Sequence, residues 1–331
     1  MACKNRKSRM NILRLFRNNF PSSLCFRVML CCLYLFSCKS APITSDTIFE
    51  DMDFIPLDTG AFAYIFANAK EARPILDILP VQQLKNWQAA MILENTDMAA
   101  AALFSKESGR RYQITGWGKY PSLRARLALF FNTTWKKRKT ETGSYWHSAA
   151  QKLSVVIDSK QVFAVLWHDT MHDNPVPLSP GVKMPEGFAR FIRGSALACW
   201  MESPGPLLTQ ILNNEGIPVA VPAEQLFLSL YPKDGLYPKD GLYLKDGLYP
   251  KDENQYEVLL RLRFATPAQA RTIAALLALA NNFSQPQQSV MAAIFFANPP
   301  YLNGQNLDIK TALLSEKEIT LLLQMFLLYW K

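Results

Sequence analysis

The chain has 331 residues, of which 49% are hydrophobic, and carries 36 basic and 27 acidic residues for a formal net charge of +9. A chain of this length can bury a core of its own without disulfide support. Seven of the basic residues precede Cys38, so the net charge falls to +2 once residues 1–37 are set aside. A nearly neutral chain lacks the broad positive field that binds phosphate backbones, which excludes a general nucleic-acid partner.

Residues 1–37 have the layout of a secretory signal, because basic residues are followed by an apolar run at 28–36 and then by Ser37 and Cys38. The apolar run is far shorter than the roughly 20 residues of a membrane-spanning helix. The order Leu35-Phe36-Ser37-Cys38 resembles the lipobox of bacterial lipoproteins. That resemblance implies cleavage before Cys38 and its acylation, with Leu35 and Ser37 as the other residues of the motif. We expect residues 38–53 to form a tether.

Residues 54–173 are expected to form a first α+β repeat. The pattern predicts a strand at 60–67 and a helix that begins near Pro74. A hairpin follows, with strands at 101–105 and 112–117. A second helix begins near Pro121, and a second hairpin has strands at 152–157 and 161–166. Proline suits the first turn of a helix, where its missing N–H costs nothing. The basic run 135–139 is expected to end the helix from Pro121, where cations complement the helix dipole. Contact with anionic lipid headgroups is the alternative for this run.

Residues 174–190 read as a linker, and 191–331 as a second repeat in the same order. It is predicted to contain a strand at 194–201, a helix from Pro206 and a hairpin with strands at 226–230 and 256–261. A second helix begins at Pro267 after an N-cap at Thr266, and a second hairpin has strands at 291–296 and 307–312. The predicted fold class is therefore α+β, with two similar repeats, antiparallel sheets and helices on one face. We expect the two repeats to pack side by side with a cleft between them.

A hexapeptide array occupies residues 230–253, where Leu-Tyr-Pro-Lys-Asp-Gly is repeated with small changes. Pro-Lys-Asp-Gly is a turn sequence, and the array falls at the tip of the hairpin predicted for the second repeat. We interpret it as an inserted loop that expanded because lengthening a surface loop costs little entropy. An exposed, tyrosine-rich binding arm is the alternative.

Three residue sets suggest chemistry without completing it. Asp58-Thr59-Gly60 matches the aspartic-protease motif, but the corresponding position of the second repeat reads Arg193-Gly194, so the second carboxylate is missing. His168 and His172 are weak candidates for a metal site, because a proline-rich segment follows them and disfavours a helix. Cys199 lies in an apolar run and is interpreted as a packed, inert thiol. We therefore predict no catalytic residues, no metal site and no cofactor.

The leader, together with 144–148, 135–137 and 295–299, resembles uncharacterised lipoproteins of spirochaetes. The resemblance implies a cell-envelope location, on the inner or outer membrane, and brings no catalytic residues. The sequence thus predicts a non-enzymatic, lipid-anchored envelope protein that contacts the membrane through its anchor and binds a protein partner or ligand. The alternatives are a hydrolase in the cleft between the repeats, using Asp58 or the His168/His172 pair, and a carrier of apolar ligands.

Overall fold

A computed structural model of the chain describes residues 54–78, 92, 94–105, 109–141, 143–168, 181–214, 218–233, 255–283 and 298–319. By their contacts, residues 43–331 group into one unit. The strands of this unit are β1 Phe54–Ile55, β2 Ala63–Asn68, β3 Thr96–Leu103, β4 Arg110–Gly118, β5 Lys136–Thr140, β6 Gly143–Ser148, β7 Leu153–Ile157, β8 Gln161–Trp167, β9 Val182–Lys183, β10 Leu197–Glu202, β11 Ala223–Pro232, β12 Gln255–Phe264, β13 Tyr301–Asn303 and β14 Asn306–Ser315. The helices are α1 Ala69–Ile78, α2 Ser122–Phe130, α3 Phe188–Ile192, α4 Gly205–Asn214 and α5 Pro267–Phe283.

Twelve of these strands form one antiparallel sheet in the order β13-β14-β12-β11-β10-β2-β3-β4-β8-β7-β6-β5, while β1 and β9 pair separately. The strands of the first half of the chain lie on one side of the β2–β10 pair, and those of the second half lie on the other. The α+β class with antiparallel pairing is therefore confirmed. A duplicated chain would produce this arrangement, but the duplication itself stays a prediction.

The two faces of the sheet are covered differently. Strand register places Tyr64 beside Trp200, and their rings stack 4.6 Å apart on the face that α3, β1 and β9 cover. The opposite face packs against the longer helices through buried side chains, namely Ile75 of α1, Ala125 and Leu129 of α2, Leu208 and Ile211 of α4, and Ile273 and Leu277 of α5. The four longer helices thus share one face, as the sequence predicts.

Strict alternation in β12 explains how a sequence of mixed polarity forms an inner strand. Every second residue from Tyr256 to Phe264 is buried beneath the helices, while the intervening side chains are half-buried on the other face. Successive strand residues point to opposite faces, so a period of two separates an apolar side from a charged side. Arg261 and Asp308 form an ion pair on that charged side.

Some predicted elements have different bounds or a different secondary structure in the protein. The run 135–139 does not end a helix, because α2 stops at Phe130 and the basic residues form β5 instead. Asn132 closes the turn between them, since its carbonyl accepts from the Trp135 N–H at 3.0 Å and its side chain accepts from the Thr134 N–H at 3.1 Å. Pro74 lies inside α1, which begins at Ala69 because Asn68 caps its first N–H groups.

Where the two predicted repeats meet, β2 and β10 pair directly through their backbones. Within the predicted linker 174–190, Val182–Lys183 form β9 and α3 begins at Phe188. The predicted strand 291–296, most of the hexapeptide loop, the tether 38–53 and the leader lie outside the described residues. The repeat and linker boundaries stay predictions.

Candidate functional site

Helix α2 is held firmly on the sheet by one of its sides. Ala125 and Leu129 are buried in a cluster with aromatic and aliphatic side chains of the loop before α2 and of β6–β8, namely Tyr120, Trp146, Val155, Ile157 and Val162. Arg126 adds a polar attachment, because its Nε and Nη2 donate to the Ile157 carbonyl at 3.1 and 2.7 Å. These contacts fix which side of α2 faces away from the sheet.

The outward side of α2 is apolar. Leu123, Leu127, Phe130 and Phe131 are 55%, 39%, 68% and 70% exposed. Their spacing of four, three and one residues places them along one stripe of the helix and its last turn. Nine large apolar side chains are exposed among the described residues, and four of them lie in the short segment 123–131.

Strand β5 follows this stripe after the short turn at Asn132 and carries exposed cations. It is the last strand at its end of the sheet, and Lys136, Lys137, Arg138 and Lys139 are all exposed. Lys137 lies opposite Trp146, whose side chain packs beneath α2, so alternation places Lys137 and Lys139 on the helix side of the sheet. We name Leu123, Leu127, Phe130 and Phe131 of α2 and its last turn, together with Lys137 and Lys139 of β5, the α2–β5 surface.

Tyr120 anchors the start of this surface. Its hydroxyl lies 2.9 Å from Thr96 Oγ1, and burial raises the pKa of the phenol to about 12, so the group stays neutral and hydrogen-bonded. The adjacent Gly116 leaves room for it, because a Cβ at that position would lie 2.7 Å from the Tyr120 hydroxyl. The loop leading into α2 is therefore fixed to β3 and β4.

Asp58 occupies a structural position. It is 5% exposed, its N–H donates to Gln113 Oε1 at 2.8 Å, and its carbonyl accepts from the Tyr64 hydroxyl at 3.2 Å. These bonds tie the loop between β1 and β2 to β2 and β4.

His168 follows β8, where its N–H donates to the Gly109 carbonyl at 3.0 Å and its carbonyl accepts from Lys152 Nζ at 2.7 Å. His172 lies outside the described residues, so the His168/His172 metal site stays untested. In the ranges that the structure describes, no three His, Cys, Asp or Glu side chains are grouped to hold a metal ion. The third histidine, His147, is buried and its Nδ1 lies 2.9 Å from Ser154 Oγ, which also accepts from Trp167 Nε1.

Cys199 packs, partly buried, against the apolar cluster beneath α4 and α5. Burial raises the pKa of its thiol to about 12, which keeps it protonated. Leu35, Ser37 and Cys38 lie outside the described residues, so the lipidation motif remains a prediction from the sequence.

The apolar half of the α2–β5 surface is not among the residues predicted from the sequence. The basic run was predicted to end a helix, which separated it from the exposed leucines and phenylalanines. The signal was present, because 123, 127, 130 and 131 have helical spacing on the side opposite Ala125 and Leu129. Among the helices in the described part of the chain, none has the length and apolar character needed to cross a membrane.

Comparison with known proteins identifies a fold but not a family. No family model matches the chain, and no curated protein matches it. Two crystal structures of TP0453, a protein of the spirochaete Treponema pallidum, are similar to it. Crystal form I gives a TM-score of 0.51 at 16% identity, covering 81% of this chain and 96% of TP0453, and crystal form III gives 0.50 at 15% identity, covering 82% and 97%. At this identity the similarity shows the fold alone.

Proposed function

We propose that this chain is a lipid-anchored protein of a bacterial cell envelope, which acts by binding a partner rather than by catalysis. The observation that carries the proposal is the leader, in which basic residues, an apolar run and Ser37 precede Cys38. Acylation at Cys38 with more than one chain, palmitate among them, would give stable anchoring, which a single chain does not.

The fold is compatible with the resemblance to spirochaete lipoproteins, because TP0453, a protein of the spirochaete Treponema pallidum, has a similar fold. The α2–β5 surface is the described region best suited to a partner, because it combines exposed aromatic rings with the cations of Lys137 and Lys139.

Metabolic labelling with palmitate, followed by mass spectrometry of the mature chain, tests the anchor. We expect label on the wild-type chain and a mature N-terminus at Cys38, whereas Cys38→Ser abolishes both labelling and cleavage. Cys32→Ser is the matched control, because it removes a leader cysteine outside the lipobox and leaves labelling intact. An unlabelled chain that retains Met1 and fractionates with the cytosol would overturn the proposal.

A further inference from the structure

The charge of the chain is distributed very unevenly around the α2–β5 surface. Residues 119–139 contain seven basic residues and no acidic one, while residues 38–331 together carry only +2. The rest of that region therefore carries −5. Electrostatic attraction therefore orients the positive surface of the protein toward an anionic partner, while its negatively charged surfaces are repelled.

The apolar stripe narrows the class of that partner. Leu123, Leu127, Phe130 and Phe131 are exposed on α2 and its last turn, Lys137 and Lys139 lie on the same side of the sheet, and the rings of Phe130 and Phe131 meet edge-on at 5.4 Å. A nucleic-acid backbone would pair with the cations but would leave these apolar side chains in water. An anionic bilayer satisfies both halves, because headgroups pair with the lysines while leucine and phenylalanine enter the boundary with the acyl chains.

We infer that the α2–β5 surface is a membrane-contact site that takes anionic phospholipid headgroups. This inference rests on the proposed envelope anchor, which supplies the bilayer as a neighbour. The predicted tether 38–53 could span at most about 55 Å when extended, which leaves the body within reach of the surface to which Cys38 is attached. The acyl chains hold the protein at the bilayer, and the α2–β5 surface sets which side of the body faces it.

Hydrogen–deuterium exchange of the full-length chain, with vesicles of phosphatidylcholine alone or mixed with phosphatidylglycerol, tests the inference locally. We expect the amides of 119–139 to become protected only when phosphatidylglycerol is present, and the protection to fall as salt is added. Because the readout is confined to these amides, binding of the leader to the same vesicles does not imitate it.

Variants separate the two components of the surface. Replacing Lys137 and Lys139 with Gln should raise the lipid concentration for half-protection by about tenfold or more. Phe130→Ser with Phe131→Ser should raise it by about tenfold or more. Leu276→Ser with Leu279→Ser on α5 is the matched control, because these leucines are exposed and the sequence of α5 contains a single cation, Arg271. Unchanged exchange in β3 and β4 verifies that each variant is folded.

Equal exchange at 119–139 with and without anionic vesicles would overturn the inference, as would protection by a DNA duplex in place of vesicles. Repeating the measurement with Cys38→Ser keeps the two proposals apart. Protection in that unacylated chain supports the contact site whether or not acylation occurs in cells, while failure of palmitate labelling overturns only the anchor.

Discussion

Arg261 joins the sheet to the short helix that covers it. Its Nε and Nη2 donate to the two carboxylate oxygens of Asp308 at 2.6 and 2.7 Å, and its guanidinium carbon lies 5.1 Å from the centre of the Phe191 ring of α3. The hydrogen bond to Asp308 is the main reason that the pKa of Arg261 is raised. Both side chains are mostly buried, so water screens the pair less than a surface ion pair.

Asp308→Asn should lower the free energy of unfolding by about 1–3 kcal/mol, because it leaves a partly buried guanidinium without its charged acceptor. Urea unfolding measures the loss. In a chain that already carries Arg261→Met, Asp308→Asn should lower the free energy of unfolding much less. The double-mutant cycle should therefore give a coupling energy of about 1 kcal/mol. Glu224→Gln, at an exposed carboxylate, should change stability by less than about 0.5 kcal/mol. Additive effects of the two changes would contradict the role assigned to the pair.

The raised pKa of Cys199 makes a prediction about reactivity and pH. Because the thiol ionises near pH 12 in the folded chain and near pH 9 when unfolded, its contribution to stability is intact below pH 9 and is lost as the pH rises toward 12. At pH 8, iodoacetamide should leave the Cys199 peptide unlabelled in the native protein and label it in guanidinium, as peptide mass spectrometry can show. Rapid native labelling would mean that the thiol is accessible and ionised.

At the scale of the element, the start of α5 is stabilised by a reciprocal pair of hydrogen bonds. The Gln269 N–H donates to Thr266 Oγ1 at 3.3 Å, and the Thr266 N–H donates to Gln269 Oε1 at 3.2 Å. This capping box satisfies two N–H groups that a helix start leaves unpaired, and it confirms Thr266 as the N-cap.

Thr266→Ala should therefore destabilise the chain by about 1 kcal/mol and speed amide exchange in the first turn of α5. Urea unfolding and hydrogen exchange report the two effects. Thr272→Ala is the control, because the Thr272 hydroxyl only donates to the Ala268 carbonyl within the same helix. Because Thr272 is exposed, Thr272→Ala should leave the free energy of unfolding unchanged or raise it slightly. An equal loss of stability in both variants would contradict the capping role.

Local chemistry explains which elements the sequence could predict. The helices that begin near Pro121 and Pro267 and the strands of β7 and β8 follow from turn residues and alternation alone. The basic run was misassigned because lysine and arginine suit a helix end as well as an exposed edge strand. What places it in β5 is pairing with β6, and such pairing depends on residues beyond the segment.

The same limit applies to the α2–β5 surface. The cations and the apolar stripe are both visible in the sequence, but their proximity depends on the hairpin that returns Trp146 beneath α2. A pattern of residues indicates which side of one helix is apolar. It does not indicate that this side is left uncovered, because that depends on every other element that could pack there.

At the scale of the whole molecule, the β2–β10 pair makes one sheet from the two halves of the chain. Phe66 of β2 pairs in register with Ala198 of β10 and with Ala100 of β3, and both small residues are buried. The ring of Phe66 meets Phe188 of α3 edge-on at 5.3 Å. The sequence suggested two repeats but not this junction, because partners more than 130 positions apart leave no local signal.

Phe66→Ala should lower the stability of both halves of the chain together, because the sheet is continuous through this position. We expect a loss of about 3–5 kcal/mol in unfolding free energy, from the buried area and the cavity left behind. Native-state hydrogen exchange should show the same loss of protection in β4 and in β12, which lie in opposite halves. Leu129→Ala is the control, since it opens the cluster under α2 near one end of the sheet and should affect α2 more than β12. Loss of protection in β4 while β12 is unchanged would mean that the halves unfold independently, and that the β2–β10 pair does not couple them.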